Sequence, residues 1–390
     1  MSIERINSDT LQKYYLCDSC HTRQFPFAQK DIHNLSNRNI INLKNEVKKN
    51  QNQSCFICGH IMSLTKYTEL VINALRDYEF TNLVIGARIP TAIIEREDNM
   101  RAELKLKGGE TLKANFTRDM NVAVSQQLKT KVNHKNPDVT VIIDLLLNMV
   151  EISSRSIFVY GRYIKNKRGI PQKQRKCQEC KGKGCHECTL TGYTTLDSVE
   201  QRLTVPLLQL FNADRIKFSW VGSEDMNSLV LGKGRPFYAE ILEPKIRKPK
   251  RIKSTLKKII NEIFICDLNL IVKRPRGDQH FTVIVRSSLK LNKQISKTNI
   301  ITLQEMLKEA SVQIMSSNKN ITKTIYYLIV ESVNRCNLQV ILECDGGLSI
   351  RRFLTGENDE ILPNLSKILK RKITLNKEKP FDILDVNFKS

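Results

Sequence analysis

Residues 221–236 read VGSEDMNSLVLGKGRP and run on into FYAEIL at 237–242. Asp225 lies between Gly222 and the run LGKGRPF. A carboxylate on a tight loop, then a Gly-rich turn, then a strand is the layout of a catalytic loop feeding a sheet. The rest of this half agrees. RIKFSWV (215–221), PFYAEIL (236–242), LNLIVKR (268–274), HFTVIVRSSL (280–289), TIYYLIVESV (324–333) and LQVILECDG (338–346) read as strands, rich in β-branched and aromatic residues. STLKKIINEIF (254–264), ITLQEMLKEA (301–310) and NLSKILK (364–370) read as helices. The mixture predicts an α+β domain over 196–390 with a large, mostly antiparallel sheet.

Upstream, 66–195 reads as a mixed α/β region. YTELVINALRDYEF (67–80) is an amphipathic helix with Leu70, Ile72, Leu75 and Tyr78 on its apolar side. TNLVIGARIPTAIIERED (81–98) reads as a strand punctuated by Gly86 and Pro90, and GETLKANFTRDMNVAVSQQL (109–128) as a second helix. DVTVIIDLLLNMVEISSRSIFVYGRY (138–163) reads as two strands, apolar throughout as buried strands are.

Eight of the eleven cysteines fall into C-x-x-C pairs. Residues 1–65 hold Cys17/Cys20 and Cys55/Cys58, separated by a polar Asn/Lys-rich insert. Two such knuckles supply four sulfurs, which suits tetrahedral zinc in a reducing compartment. Cys177, Cys180, Cys185 and Cys188 form a second candidate set; the four residues between its pairs leave open whether it closes into one site. Lys165, Lys167, Arg168, Lys173, Arg175 and Lys176 precede it and suit either a phosphate backbone or a solvated linker. Cys266, Cys336 and Cys344 sit in apolar runs and read as small buried hydrophobes.

The 390 residues suffice for two or three domains, and 41% hydrophobic content fits a folded chain. Lys and Arg number 63 against 40 acids, a formal charge of +23, which favours a polyanionic partner. No apolar run reaches the roughly 18 residues that span a bilayer, and MSIERINSD has no apolar signal region. The expectation is a cytoplasmic, monomeric protein away from membranes. There is no Walker A motif, no Gly-rich dinucleotide loop after a strand, no His ligand pair and no Ser/His/Asp pattern. A reaction without organic cofactor, carried by one carboxylate, is what these residues support best.

The chain resembles archaeal-type tRNA pseudouridine synthases that act on the T-loop. The resemblance rests on both knuckle pairs, on GRPFYAEILEP (234–244), and on GGLSIRRFLTGENDEILPNLSKIL (346–369). It also rests on GARIP, ERED, GETLKANFTRD and FVYGRY, which resemble the THUMP RNA-binding module. It implies a zinc-binding region at 1–65, a THUMP-like region with the second knuckles at 66–195, and a pseudouridine synthase domain at 196–390. It further implies structural zinc, a tRNA partner bound at its T-arm, and modification of the T-loop uridines at family positions fifty-four and fifty-five. Asp225 takes the place of the family's attacking Asp, but the preceding Gly-Arg-Glu is here Gly222-Ser223-Glu224. A family Tyr aligns with Phe281, which keeps a stacking face. A second aligns with Ser349, followed by Ile350, Arg351 and Arg352. Arg235 contacts phosphate or ribose, or pairs with Glu240 on its own strand. QIMSSNKNITK (313–323) replaces the family's Gln-Arg-Thr-Pro stretch. The alternative reading is a tRNA-binding protein or folding chaperone of this architecture with impaired catalysis.

Overall fold

The computed structural model describes residues 14–24, 54–106, 109–194, 197–250, 262–273, 280–316 and 319–389. It divides into two compact units, Met1–Arg155 and Ser156–Ser390.

In the first unit α1 (Asp18–Gln24) belongs to the first knuckle. Then follow α2 (Leu64–Ala74), β1 (Asn82–Arg88), α3 (Thr91–Glu103), α4 (Leu112–Leu128), β2 (Lys131–Val132), β3 (Val139–Asp144) and β4 (Met149–Ser154). The sheet has the order β2-β1-β3-β4, with β2 and β3 parallel to β1 and β4 antiparallel to β3. Helix α2 starts at Ser63, whose hydroxyl accepts from Lys66 N–H. Its buried stripe is Tyr67, Val71 and Leu75, at helical spacing, with Leu70 and Tyr78 at the margin. These side chains meet Phe116, Met120 and Val124 of α4 over the apolar face of β1 and β3. Two expectations change. TAIIERED is a helix, not strand: Ile93, Glu97 and Met100 recur at 3.6-residue spacing and are buried. The stretch 138–163 forms three strands, not two, because Asp144 turns the chain, its carboxylate accepting from the N–H groups of Leu146 and Leu147.

The second unit opens with β5 (Ile157–Lys165), α5 (Val199–Phe211), β6 (Arg215–Trp220) and β7 (Val230–Leu242). Next come β8 (Ile263–Ile271), β9 (Phe281–Leu291), α6 (Lys297–Met306), β10 (Ala310–Ser316), β11 (Lys319–Asn334) and β12 (Asn337–Asp345). Last are α7 (Ile350–Thr355), β13 (Ile361–Leu362), α8 (Leu365–Leu369), β14 (Ile373–Leu375) and β15 (Asp382–Phe388). One eleven-stranded sheet runs β13-β10-β11-β12-β9-β15-β7-β5-β8, with β14 on β9 and β6 on β7. Every pairing is antiparallel except that of β15 with β7. The protein is therefore α+β with a large, mostly antiparallel sheet, as expected.

The unit boundary lies at 155/156 rather than 195/196, because β5 is an inner strand of this sheet, between β7 and β8. Val159, Gly161, Tyr163 and Lys165 alternate inward along it. LGKGRP is no turn: Gly232 and Gly234 bulge within β7 at φ 58° and 77°. A Cβ on Gly232 would overlap the Leu384 carbonyl, and one on Gly234 would stand 2.7 Å from the Tyr163 carbonyl. QIMSSNKNITK spans the end of β10 and the start of β11, which pair with each other. Of the three solitary cysteines only Cys344 is buried; Cys336 is half-buried in a turn and Cys266 is exposed. Of the helix expected at 254–264, residues 254–261 lie outside the described residues, and Ile263 and Phe264 begin β8. Among the described residues no helix is long and apolar enough to cross a membrane.

Candidate active site and metal centres

The loop between β6 and β7 turns at Gly222, with φ 73°, and then closes on itself. Asp225 Oδ1 accepts from Asn227 N–H at 2.9 Å, and the Asp225 carbonyl accepts from Ser228 N–H at 3.0 Å. This is the Asx-type closure open to a short carboxylate. The other oxygen, Oδ2, faces outward and accepts from Arg351 Nη2 at 2.8 Å. The Asp225 side chain is 25% exposed.

Glu224 points the other way and is wholly buried. Its Oε1 pairs with Lys165 Nζ at 2.9 Å, and Tyr163 Oη donates to its Oε2 at 2.8 Å. Burial, and then the Glu224 charge, hold the Tyr163 phenol well above its ordinary range, so it stays a donor. Gln172 Nε2 donates in turn to Tyr163 Oη at 3.1 Å.

The loop forms one wall of a cleft of about 420 Å³. Asp225, Arg235, Phe281 and Ser349 all line it, so the four positions singled out in the sequence meet, although more than a hundred residues separate the first from the last. Phe281, at the start of β9, lies against two glycines: a Cβ on Gly346 would overlap its ring, and one on Gly222 would come within 2.9 Å. Arg235 is buried and donates through Nε to the Val221 carbonyl at 3.0 Å. It is turned toward Glu224, at 3.8 Å, rather than toward Glu240, and its Nη1 has no hydrogen-bond partner. Ser349 is the exposed cap residue of α7 and makes no side-chain capping bond. Arg351, the second residue of α7, is a site residue that the local sequence does not mark, although IRR directly follows Ser349.

The basic run is divided. Lys165 is buried on Glu224, Lys167 pairs with Glu262 at 2.6 Å, and Arg168 grips Asp382 through both nitrogens at 2.6 and 2.7 Å. Lys165 and Arg168 anchor the structure; Lys167, in its surface pair, and Lys173, Arg175 and Lys176 are exposed.

Both cysteine sets converge, each with its four sulfurs within 4.8 Å of one another. Sγ···Sγ separations include 3.7 Å for Cys17–Cys58, and 3.7 to 3.8 Å for Cys180–Cys188, Cys185–Cys188 and Cys177–Cys185. A tetrahedron with Zn–S bonds of about 2.3 Å has S···S edges of about 3.8 Å, so both sets fit a tetrahedral ion. Gly184 N–H donates to Cys180 Sγ at 3.2 Å, and Cys185 and Gly192 donate to Cys188 Sγ at 3.2 and 3.1 Å. Against the burial that would raise it, those last two bonds hold the Cys188 thiol down at about 6. At the N-terminal set, Arg23 is buried in an ion pair with Glu97 of α3, and Gln24 Nε2 donates to Glu97 at 2.6 Å.

The family described as Pus10, C-terminal, matches residues 158–387, and that described as Pus10 THUMP domain, archaeal, matches 67–144. The matches fall on either side of the boundary between the compact units. A tRNA pseudouridine synthase Pus10 from Nitrosopumilus maritimus (strain SCM1) is 29% identical over 385 residues, covering 98% of each chain. Its counterpart from Methanococcus voltae (strain ATCC BAA-1334 / A3) is 28% identical over 372 residues, 87% of this chain and 70% of that one. A crystal structure of a Cbf5-Nop10-Gar1 complex aligns with 58% of this chain and 49% of its own, at 11% identity and a TM-score of 0.30, too slight a likeness to build on.

Proposed function

The chain belongs to the Pus10 family and is a tRNA pseudouridine synthase, and from that premise we propose that Asp225 carries the reaction on uridines of the T-loop. The observation that supports this is the meeting of Asp225, Arg235, Arg351 and Phe281 in one cleft. The target nucleotide leaves its stack to enter such a cleft. The Asp225 carboxylate attacks C1′ or takes a proton from the ribose, and the N1–C1′ bond breaks. The uracil turns and C5 bonds to C1′ as the Asp225–C1′ bond breaks or the ribose regains its proton; the C5 proton then leaves and N1 takes one up. Nothing is oxidised and no donor is consumed. Arg351 orients the carboxylate through its bond to Oδ2, and Arg235, held by the Val221 carbonyl and turned toward Glu224, puts a buried positive charge in the cleft wall. The direct test is to incubate the protein with unmodified tRNA transcript and map pseudouridine by carbodiimide modification and primer extension. A product-free T-loop sinks the placement of the target.

Phe281 covers one side of the base, and Ser349 leaves the other side without a ring. Base–aromatic stacking is worth about 1–3 kcal/mol, and about 1.4 kcal/mol is a factor of ten in rate when felt in the transition state. Phe281→Ala is expected to slow single turnover by about ten- to a hundredfold. Ser349→Tyr is expected to speed it without moving the modified position. Rates unchanged in both variants would remove both residues from the uracil pocket.

With 63 basic residues against 40 acidic ones, tRNA binding is expected to weaken by at least about a hundredfold over a tenfold rise in salt, the effect of roughly three neutralised phosphates. A salt-independent Kd from filter binding would exclude a phosphate-driven interface. The two cysteine sets are proposed to hold one structural zinc each, closed to water, with no part in the reaction.

A further inference from the structure

The turn 225–228 is closed by its own hydrogen bonds, but these fix it only relative to itself. Side chains from one segment, 163–172, fix it to the sheet. Lys165 Nζ donates to the carbonyls of Met226 at 3.3 Å, Asp225 at 3.5 Å and Ile170 at 3.0 Å while pairing with Glu224 at 2.9 Å. Arg168 Nη1 donates to the Asn227 carbonyl at 2.7 Å, and Gln172 Nε2 to the Gly222 carbonyl at 3.4 Å.

Lys165 and Glu224 both have 0% side-chain exposure. Folding stability alone does not call for such a pair, because desolvating two charges offsets most of their attraction, and apolar residues of similar volume serve as well or better. What the pair adds is geometry. Tyr163 and Lys165 stand two apart on β5 and so face the same side. Together they draw Glu224 inward. The next residue, Asp225, is thereby turned toward the cleft, and its carbonyl is held from below.

We propose that Lys165 and Glu224 are positioning residues: their buried pair, capped by Tyr163, sets the height and direction of Asp225 in the cleft. This rests on the reading of Asp225 as the reacting carboxylate. Placing the carboxylate affects the chemical step and not the docking of tRNA, so the pair acts on the rate and not on affinity.

Removing one partner alone strands the charge of the other, so the test removes both; Arg235, buried 3.8 Å from Glu224, keeps its Nε bond to the Val221 carbonyl but loses its carboxylate neighbour. Lys165→Met/Glu224→Gln keeps the volumes and leaves Tyr163 an acceptor. The variant is expected to fold cooperatively, bind tRNA within about twofold of wild type, and form pseudouridine about a hundredfold more slowly in single turnover, the scale of a misplacement of about 1 Å. A folded variant with a near-wild-type rate overturns the proposal. So does one whose affinity falls as far as its rate, because the pair would then shape the binding surface. If the double variant does not fold, Tyr163→Phe takes its place; it removes only the hydroxyl and is expected to cost about tenfold in rate at unchanged affinity, with no loss of rate overturning the proposal. A wild-type protein that forms no pseudouridine would sink the reading of Asp225 itself. A fully active pair variant beside a dead Asp225→Asn sinks only the positioning role.

Discussion

Asp225→Asn is expected to lower single-turnover pseudouridine formation by on the order of 10³-fold or more, the scale on which removing a nucleophile acts, while tRNA affinity stays within about twofold. The substitution is conservative everywhere except at the chemistry. The Asn Oδ1 still accepts from Asn227 N–H, so the turn closes as before. The lost partner of Arg351 is a part-exposed pair, with side-chain exposures of 39% and 25%, and such pairs contribute at most about 1 kcal/mol to stability. The protein should therefore fold normally and bind normally through its basic surface. What disappears is a negatively charged oxygen that can bond to carbon or accept a proton. Gel-shift affinity and single-turnover mapping on the same preparation separate the two effects. A near-wild-type rate in Asp225→Asn would falsify the assignment of the reacting group.

Much of this site was legible because its residues lie in short local patterns. GSED before LVLGKGRPF marked the loop, QHFTVIV marked the ring of Phe281, and GGLSIRR marked the cap of α7. Those patterns carried identity but not depth. Lys165 follows GRYI at the head of a basic run and reads as one more cation for a phosphate backbone or a solvated linker, yet it occupies an inward position of an inner strand. Alternation along β5 contained that signal, but a lysine counts as polar in any period-two pattern, so the strand reads as ending before it. The strand's place in the large sheet was hidden for a different reason. Its partners β7 and β8 come from residues 230–271, and long-range pairing leaves no trace in local sequence. TAIIERED misled by composition: Thr91, Ile93 and Ile94 favour strand locally, while burial of Ile93, Met100 and Leu104 beside the knuckle cysteines decides for helix.

That same small core makes Cys55→Ser the most damaging change expected away from the cleft. Leu16, Cys20, Cys55, Ile57, Cys58, Ile93, Met100, Leu104 and Leu112 are its buried members, and three of the nine are proposed zinc ligands. So small a cluster buries too little apolar surface to order the knuckles unaided, so the ion supplies the missing stability. A serine oxygen is a poorer ligand for zinc than a thiolate. Wild-type protein is expected to carry two zinc ions per chain and Cys55→Ser one, since the second set lies in the other compact unit. Loss of the first ion also frees α1, which carries Arg23 and Gln24 onto buried Glu97. Stranding that carboxylate costs about 3–5 kcal/mol where its partner is lost. The first unit should then melt well below wild type while the second unfolds unchanged. The four ligands bind as thiolates, so acid should release the ion and lower the melting of the first unit in wild-type protein, as the substitution does, and alkali should not. Metal analysis by mass spectrometry with calorimetry over pH decides it: a Cys55→Ser protein that keeps two ions, or a metal-free first unit that melts like wild type, means the N-terminal knuckles are not a structural zinc site.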